Sequence, residues 1–237
     1  MGTNRRETEA FARRLNDLKQ RGCNLLVVND AESAPAVCGR LLGDPGEQRR
    51  HLFIPTTTTM ASVLSRHDPF PKTPDRFGVV DGTTAERTRS LASPQRPGDL
   101  DANAEWYTEL DRLDDLLALG RLVDEHLSRF EAAALSPGEV RVCMESLDPL
   151  IDVFDPEELF RFLHLLTARV RALHGIGHFH MATGLDSELA DLLEPLFDVT
   201  IRSRETEEGV QQRWRLHDSG YDSGWLSMHA GDSTPRF

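Results

Sequence analysis

The eight residues Asn29-Asp30-Ala31-Glu32-Ser33-Ala34-Pro35-Ala36 stand where an α/β protein would do phosphate chemistry, between a compact apolar run, Asn24–Val28, and a segment of helical apolar spacing, Ala34–Leu42. Ligands of a parallel sheet sit at the carboxyl ends of its strands, and the turn after the first strand is the usual phosphate site. The loop pattern G-x-x-x-x-G-K-[ST] needs glycines so that backbone N–H groups can surround the phosphates, a lysine for the outer oxygens and a hydroxyl for Mg²⁺. Laid over that pattern, Asn29 and Ala34 replace the glycines, Pro35 the lysine and Ala36 the hydroxyl residue. Asp30 and Glu32 add negative charge where a triphosphate would lie. Like charges 4 Å apart repel by about 1 kcal/mol in bulk water and by more at a protein site. Lys19 and Lys72 lie elsewhere in the chain, and an arginine would not rebuild this loop. Hydrolysis by the usual route is therefore not expected.

Other chemistry-bearing residues give weaker signals. His178 and His180 are two apart on an expected strand and so share one face, with His164 and His174 close in sequence. Their spacing matches no zinc pattern, so metal binding is not expected. Cys23, Cys38 and Cys143 are odd in number, widely spaced and set in apolar surroundings, which predicts reduced core thiols rather than disulfides. There is no G-x-S-x-G elbow and no local signature of a nucleophilic cysteine. Of Trp106, Trp214 and Trp225, Trp214 between Arg213 and Arg215 is the one expected to lie on a contact surface.

The elements that must position these residues alternate strand and helix. A helix over Glu7–Gln20, closed by Arg21-Gly22, opens the chain. Strands are expected at Asn24–Val28, His51–Thr56, Phe77–Asp81, Val140–Met144 and Gly177–Ala182, with helices at Ala34–Leu42, Thr59–Ser65, Pro156–Leu173 and Ser187–Leu196. Trp106–Leu119 and Arg121–Leu135 read as an acidic helical stretch broken or kinked near Gly120, with Leu110, Leu113, Leu117, Leu122, Val123 and Leu127 as its apolar stripe. Strands Asp198–Arg204 and Gln211–His217, joined by the polar turn Glu205–Gly209, should close the sheet with an antiparallel pair. This order predicts a three-layer α/β sandwich with a mainly parallel central sheet and an antiparallel edge hairpin. It divides the chain into an N-terminal helix (1–21), an α/β domain (22–218) with a flexible loop (90–104), and a loosely ordered tail (219–237).

Composition narrows the function classes. The 237 residues suit one large domain, and a net charge of -12 disfavours broad contact with nucleic acid or an anionic membrane. Only two of the 27 basic residues are lysines, set against 39 Asp and Glu, which is the usage of a salt-adapted proteome. With no apolar run near 20 residues and a polar N-terminus, a cytoplasmic protein is expected.

Several segments carry a resemblance. Val140-Arg141-Val142-Cys143-Met144-Glu145-Ser146-Leu147-Asp148-Pro149-Leu150 is similar to the metal-linked strand and following turn of the RecA/KaiC-like branch of P-loop ATPases. Phe160–Val170 resembles the helix that follows there, Phe77–Thr83 its "VVD" strand end, and Leu196-Phe197-Asp198 with Ile201-Arg202 its closing hairpin. From Gly22 to His217 the chain resembles an uncharacterised haloarchaeal family of such proteins that often lack catalytic motifs. The resemblance implies a vestigial nucleotide cleft lined by Asn29, Asp30, Ser33, Pro35, Ala36, Asp81, Glu145 and Ser146, with Glu145 in the place of the metal-linked aspartate. It implies a catalytically inactive domain with a regulatory or scaffolding role, without a cofactor, whose partner is another protein or a second copy of itself. The alternative is an unconventional nucleotide-binding switch or weak ATPase that uses arginines and Glu145.

Overall fold

Cys23–Val28 (β1) is a β-branched, apolar run buried on both faces, as a central parallel strand must be. It is entered from helix Gly2–Arg21 (α1), whose exit turns at Gly22 with φ 80°. A Cβ at Gly22 would lie 2.9 Å from the His174 backbone, so both the left-handed φ and the close approach require glycine. The structure is a computed structural model, and it describes residues 2–28, 34–43, 47–57, 62–63, 72–83, 104–182 and 188–227.

The chain continues through Ala34–Leu42 (α2), Arg50–Ile54 (β2), Phe77–Asp81 (β3), Tyr107–Glu109 (β4), Leu116–Glu131 (α3) and Val140–Met144 (β5). Asp148–Ile151 (α4), Pro156–Ala172 (α5), Ile176–Met181 (β6), Glu188–Leu193 (α6), Val199–Thr206 (β7), Gly209–Leu216 (β8) and Tyr221–Ser227 (β9) complete it. Among the described residues the strands form one sheet of nine in the order β4-β3-β2-β5-β6-β1-β7-β8-β9. Every pairing from β4 to β7 is parallel, whereas β7-β8 and β8-β9 are antiparallel. The protein is thus the expected α/β fold with a mainly parallel sheet and an antiparallel edge.

Strand alternation sends side chains to two helical layers. Val142, Met144, Phe179 and Met181 pack with α3 and α5 into the larger core. On the opposite face α1 covers Cys23, Leu25, Val27, Trp214 and Leu216, while α2 contributes Cys38 and Leu42 to a cluster with Phe53, Phe77, Val79 and Cys143. Asp155 caps α5 by accepting from the Glu157 and Glu158 N–H groups, and Asp115 caps α3 through the Ala118 N–H.

Several sequence expectations need correction. The stretch Trp106–Leu119 does not begin as helix: Tyr107–Glu109 is a strand pinned beside β3 by Val79 N–H donating to the Trp106 carbonyl (2.7 Å). Trp106 packs edge-on against Phe77 with ring centroids 5.3 Å apart, so tertiary packing overrides the helical pattern. Helix α3 then runs through Gly120 without a break, and Leu117 of the expected stripe is 78% exposed. Trp214 is buried on the α1 face rather than on a contact surface, because β9 and α1 cover β8. Of the tail expected to be loose (219–237), Tyr221–Ser227 form β9, where Tyr221 stacks on Phe11 at 4.8 Å and Asp222 pairs with Arg213 at 2.6 Å, and 228–237 lie outside the described residues. The β7–β8 connection is the expected hairpin, tightened to Glu207-Glu208, with Gly209 at φ 108°. The loop expected at 90–104 lies outside the described residues except for Ala104, as does most of the helix expected at Thr59–Ser65, of which only 62–63 are described and helical.

Candidate functional site

Two groups of polar side chains hold chemistry: one at the carboxyl ends of the central strands, the other under α2.

At the strand ends, β3, β2 and β5 lie side by side and bring Asp81, Thr56, Thr57, Glu145 and Ser146 to one edge of the sheet. The Glu145 carboxylate accepts from the Thr57 N–H (2.9 Å), the Thr57 hydroxyl (2.9 Å) and the Thr56 N–H (3.3 Å). Its own N–H donates to the Ile54 carbonyl (3.0 Å). The Thr56 hydroxyl donates to the Ser146 carbonyl (2.7 Å), and Ser146 Oγ accepts from the Asp148 N–H (3.1 Å) at the start of α4. Glu145 therefore anchors the loop after β2, and Ser146 shapes the turn after β5.

Asp81 is fully buried, and its Oδ1 accepts from the Thr83 N–H (2.9 Å) and hydroxyl (2.6 Å), which closes an Asx-type turn. Its Oδ2 accepts from the Tyr107 hydroxyl at 2.9 Å. Burial, followed by the negative charge of Asp81, pushes the Tyr107 phenol above its ordinary range, so it stays a neutral donor. Of the other residues assigned to the cleft, Asn29, Asp30 and Ser33 lie outside the described residues, and Pro35 and Ala36 fall in the first turn of α2. The structure thus places Asp81, Glu145 and Ser146 at one edge and shows what each of them holds.

The second group was missed by sequence spacing. Cys38, Cys143, His178 and His180 each offer a ligand atom, all buried and all within 4.8 Å of one another. Cys38 Sγ lies 3.6 Å from Cys143 Sγ and 3.5 Å from His178 Nε2. The two imidazoles meet edge to face with centroids 5.3 Å apart. The cysteines are buried thiols outside any disulfide, as expected.

Topology explains the meeting. In the sheet order, β6 and β5 lie between β1 and β2, so the crossover helix α2 that links β1 to β2 must pass over both. That passage carries Cys38 over the face where Cys143 on β5 stands opposite His178 on β6, with His180 two residues further along the same face. The H-x-H on one strand was the visible half of the signal. Its other half is 105 residues away from itself, between Cys38 and Cys143, and emerges only from strand order. His164 and His174, near in sequence, stay exposed and outside the cluster.

The environments of the thiols differ. The Cys38 thiol is pushed well below its ordinary range, chiefly by hydrogen bonding with Cys143 and also with His178, against burial, which raises it. Cys23, buried without such neighbours, is pushed up to about 12 by desolvation. Burial lowers His178, which favours a neutral imidazole. A low thiol beside the neutral imidazole of His178, with a second thiol and a second imidazole within reach, is a donor set for a soft or borderline cation.

Fold and sites define an α/β protein with a mainly parallel central sheet whose strand-end carboxylates tie loops together. Residues 22–203 match the family described as "Family of unknown function (DUF7504)", and the chain belongs to that family. No curated protein matches it. Among solved structures, it is similar in fold to an uncharacterized protein from Pyrococcus horikoshii that was solved in complex with an unknown peptide. That likeness has a TM-score of 0.56 at 14% identity, and it covers 88% of this chain and 89% of the other.

Proposed function

We propose that this protein is a catalytically inactive RecA/KaiC-like domain that acts in the cytoplasm of a salt-adapted cell by binding protein, either a second copy of itself or a partner. The observation that carries the reading is the engagement of Glu145, the residue in the position of a metal-linked acid. Its carboxylate accepts from two backbone N–H groups and a hydroxyl of the loop after β2. A carboxylate already engaged by two loop N–H groups and a hydroxyl serves as a turn anchor and has fewer lone pairs left for Mg²⁺. The turn 29–36, without glycine or lysine, supports the same conclusion from the phosphate side.

A binding role has candidate surface at the antiparallel edge. Strand β9 is the outermost strand, and Trp225 on it is 37% exposed, with the Arg204 guanidinium 4.0 Å above its ring. Tryptophan and arginine are enriched in interface cores, and an edge strand offers backbone groups to an added strand. The peptide bound by the Pyrococcus horikoshii protein is a precedent for partner binding on a related architecture.

Titration of labelled ATP and ADP against the full chain in molar KCl with Mg²⁺ tests the proposal. No submillimolar binding is expected. Submillimolar binding abolished by Glu145→Ala would overturn the inactive-domain reading in favour of a nucleotide switch.

A further inference from the structure

We propose that Cys38, Cys143, His178 and His180 bind one zinc ion as a closed structural site that fastens α2 to β5 and β6. The proposal stands on the geometry of the cluster and does not depend on how the strand ends are read.

Two of the donor separations already match the edges of a zinc tetrahedron. Zn–S bonds of about 2.3 Å and Zn–N bonds of about 2.0–2.1 Å place two sulfurs about 3.8 Å apart and a sulfur and a nitrogen about 3.6 Å apart. Cys38 Sγ stands 3.6 Å from Cys143 Sγ and 3.5 Å from His178 Nε2, and no pair of the four donors exceeds 4.8 Å. A two-iron cluster with this ligand set would hold the cysteines and histidines on different irons, farther apart than Cys38 and His178 are. Two thiolates and two imidazoles in a tetrahedron select zinc over the harder divalent cations, which prefer oxygen.

Electrostatics agrees. Zn²⁺ with two thiolates and two neutral imidazoles sums to zero charge, which a fully buried site tolerates, whereas a lone thiolate there would be uncompensated. Binding displaces one proton from each thiol to solvent, and no electron moves. His178 Nδ1 is sealed from solvent without a hydrogen-bond partner, so the polar contacts of that ring are confined to the cluster side. Four protein ligands leave no open position, so the site is structural. It grips α2, which begins at Ala34 and whose counterpart in a phosphate-binding relative would be held by its ligand.

The test uses the full chain, expressed in zinc-supplemented medium, desalted in molar KCl with a phosphine reductant and analysed by plasma mass spectrometry. About one zinc per chain is expected, falling to near zero in Cys143→Ser and His180→Ala. Because those variants remove core side chains, Co²⁺ exchange into the unaltered chain supplies an independent readout. One equivalent should give the intense visible bands of tetrahedral cobalt together with thiolate-to-cobalt charge transfer in the near ultraviolet. A chain that folds in chelator, retains no stoichiometric zinc and shows only the pale octahedral cobalt spectrum overturns the site. Failure here leaves the nucleotide titration untouched, and the reverse holds as well.

Discussion

His126 on α3 is fully buried, with Nε2 3.2 Å from the Thr108 hydroxyl. It occupies space that exists because residue 78 carries no side chain: a Cβ on Gly78 would lie 2.6 Å from His126 Nδ1 and 3.1 Å from Leu52 Cδ1. Burial, with a smaller contribution from the positive charge of Arg129, lowers its pKa to about 4. The unfolded chain would take up a proton near pH 6.5 that the folded chain refuses until about pH 4. Between those values the unfolded state binds more protons, so stability rises with pH there and is lost as pH falls from 6.5 toward 4. The loss attributable to this residue is on the order of 3 kcal/mol. Carboxylates titrate in the same range, so the readout is the difference between wild type and His126→Leu in urea midpoints measured from pH 7 to pH 4. The variant should show the shallower decline; parallel curves would mean that His126 is protonated in the folded state.

At the scale of elements, α1 is an integral layer rather than an appendage. Phe11, Leu15 and Leu18 are buried against β1, β7 and β8, and Phe11 meets both Trp214 (6.3 Å, edge to face) and Tyr221 (4.8 Å, stacked). Phe11→Ala should cost about 3–5 kcal/mol, the range for truncating a buried phenylalanine, as read from chemical denaturation in molar KCl. A loss under about 1 kcal/mol would mean that α1 is not docked in solution. The sequence made the central strands legible because Leu25-Leu26-Val27, Val79-Val80 and Val142-Cys143-Met144 are uninterrupted apolar runs that only a two-sided burial explains. It hid β4 and β9, whose pairing depends on Phe77 and Phe11 across the fold rather than on their own polar residues. The same reason divides the two sites. Glu145 was locatable from its place after a strand, but the partners that occupy it, Thr56 and Thr57, come from a loop 88 residues away or more. The Cys–His group needed the strand order, which no local pattern states.

At the scale of the molecule, the balance between ion pairs and net repulsion decides how salt acts. Among the described residues most ion pairs are exposed, such as Arg161–Glu157 with side chains 68% and 82% accessible, and exposed pairs contribute about 0–1 kcal/mol each. The Arg169 guanidinium, bonded to Asp124 and Glu131 at 2.7 Å, links α5 to α3, and Arg50–Glu139 is the better-buried pair at 9% and 14%. Against these few contributions stands a net charge of -12 spread over the surface, whose self-repulsion opposes the compact state. Salt screens both, but the Debye length falls from about 10 Å at 0.1 M to about 3 Å at 1 M, so distant repulsions vanish before contacts of 3 Å do. High chloride should therefore raise stability: the melting temperature of the full chain is expected to climb between 0.1 M and 2 M KCl. A urea series at matched ionic strengths separates this from a change in exposed surface, since screening moves the midpoint and leaves the slope unchanged. A melting temperature that falls with KCl would show that the Arg169 and Arg50 pairs outweigh the surplus of carboxylates.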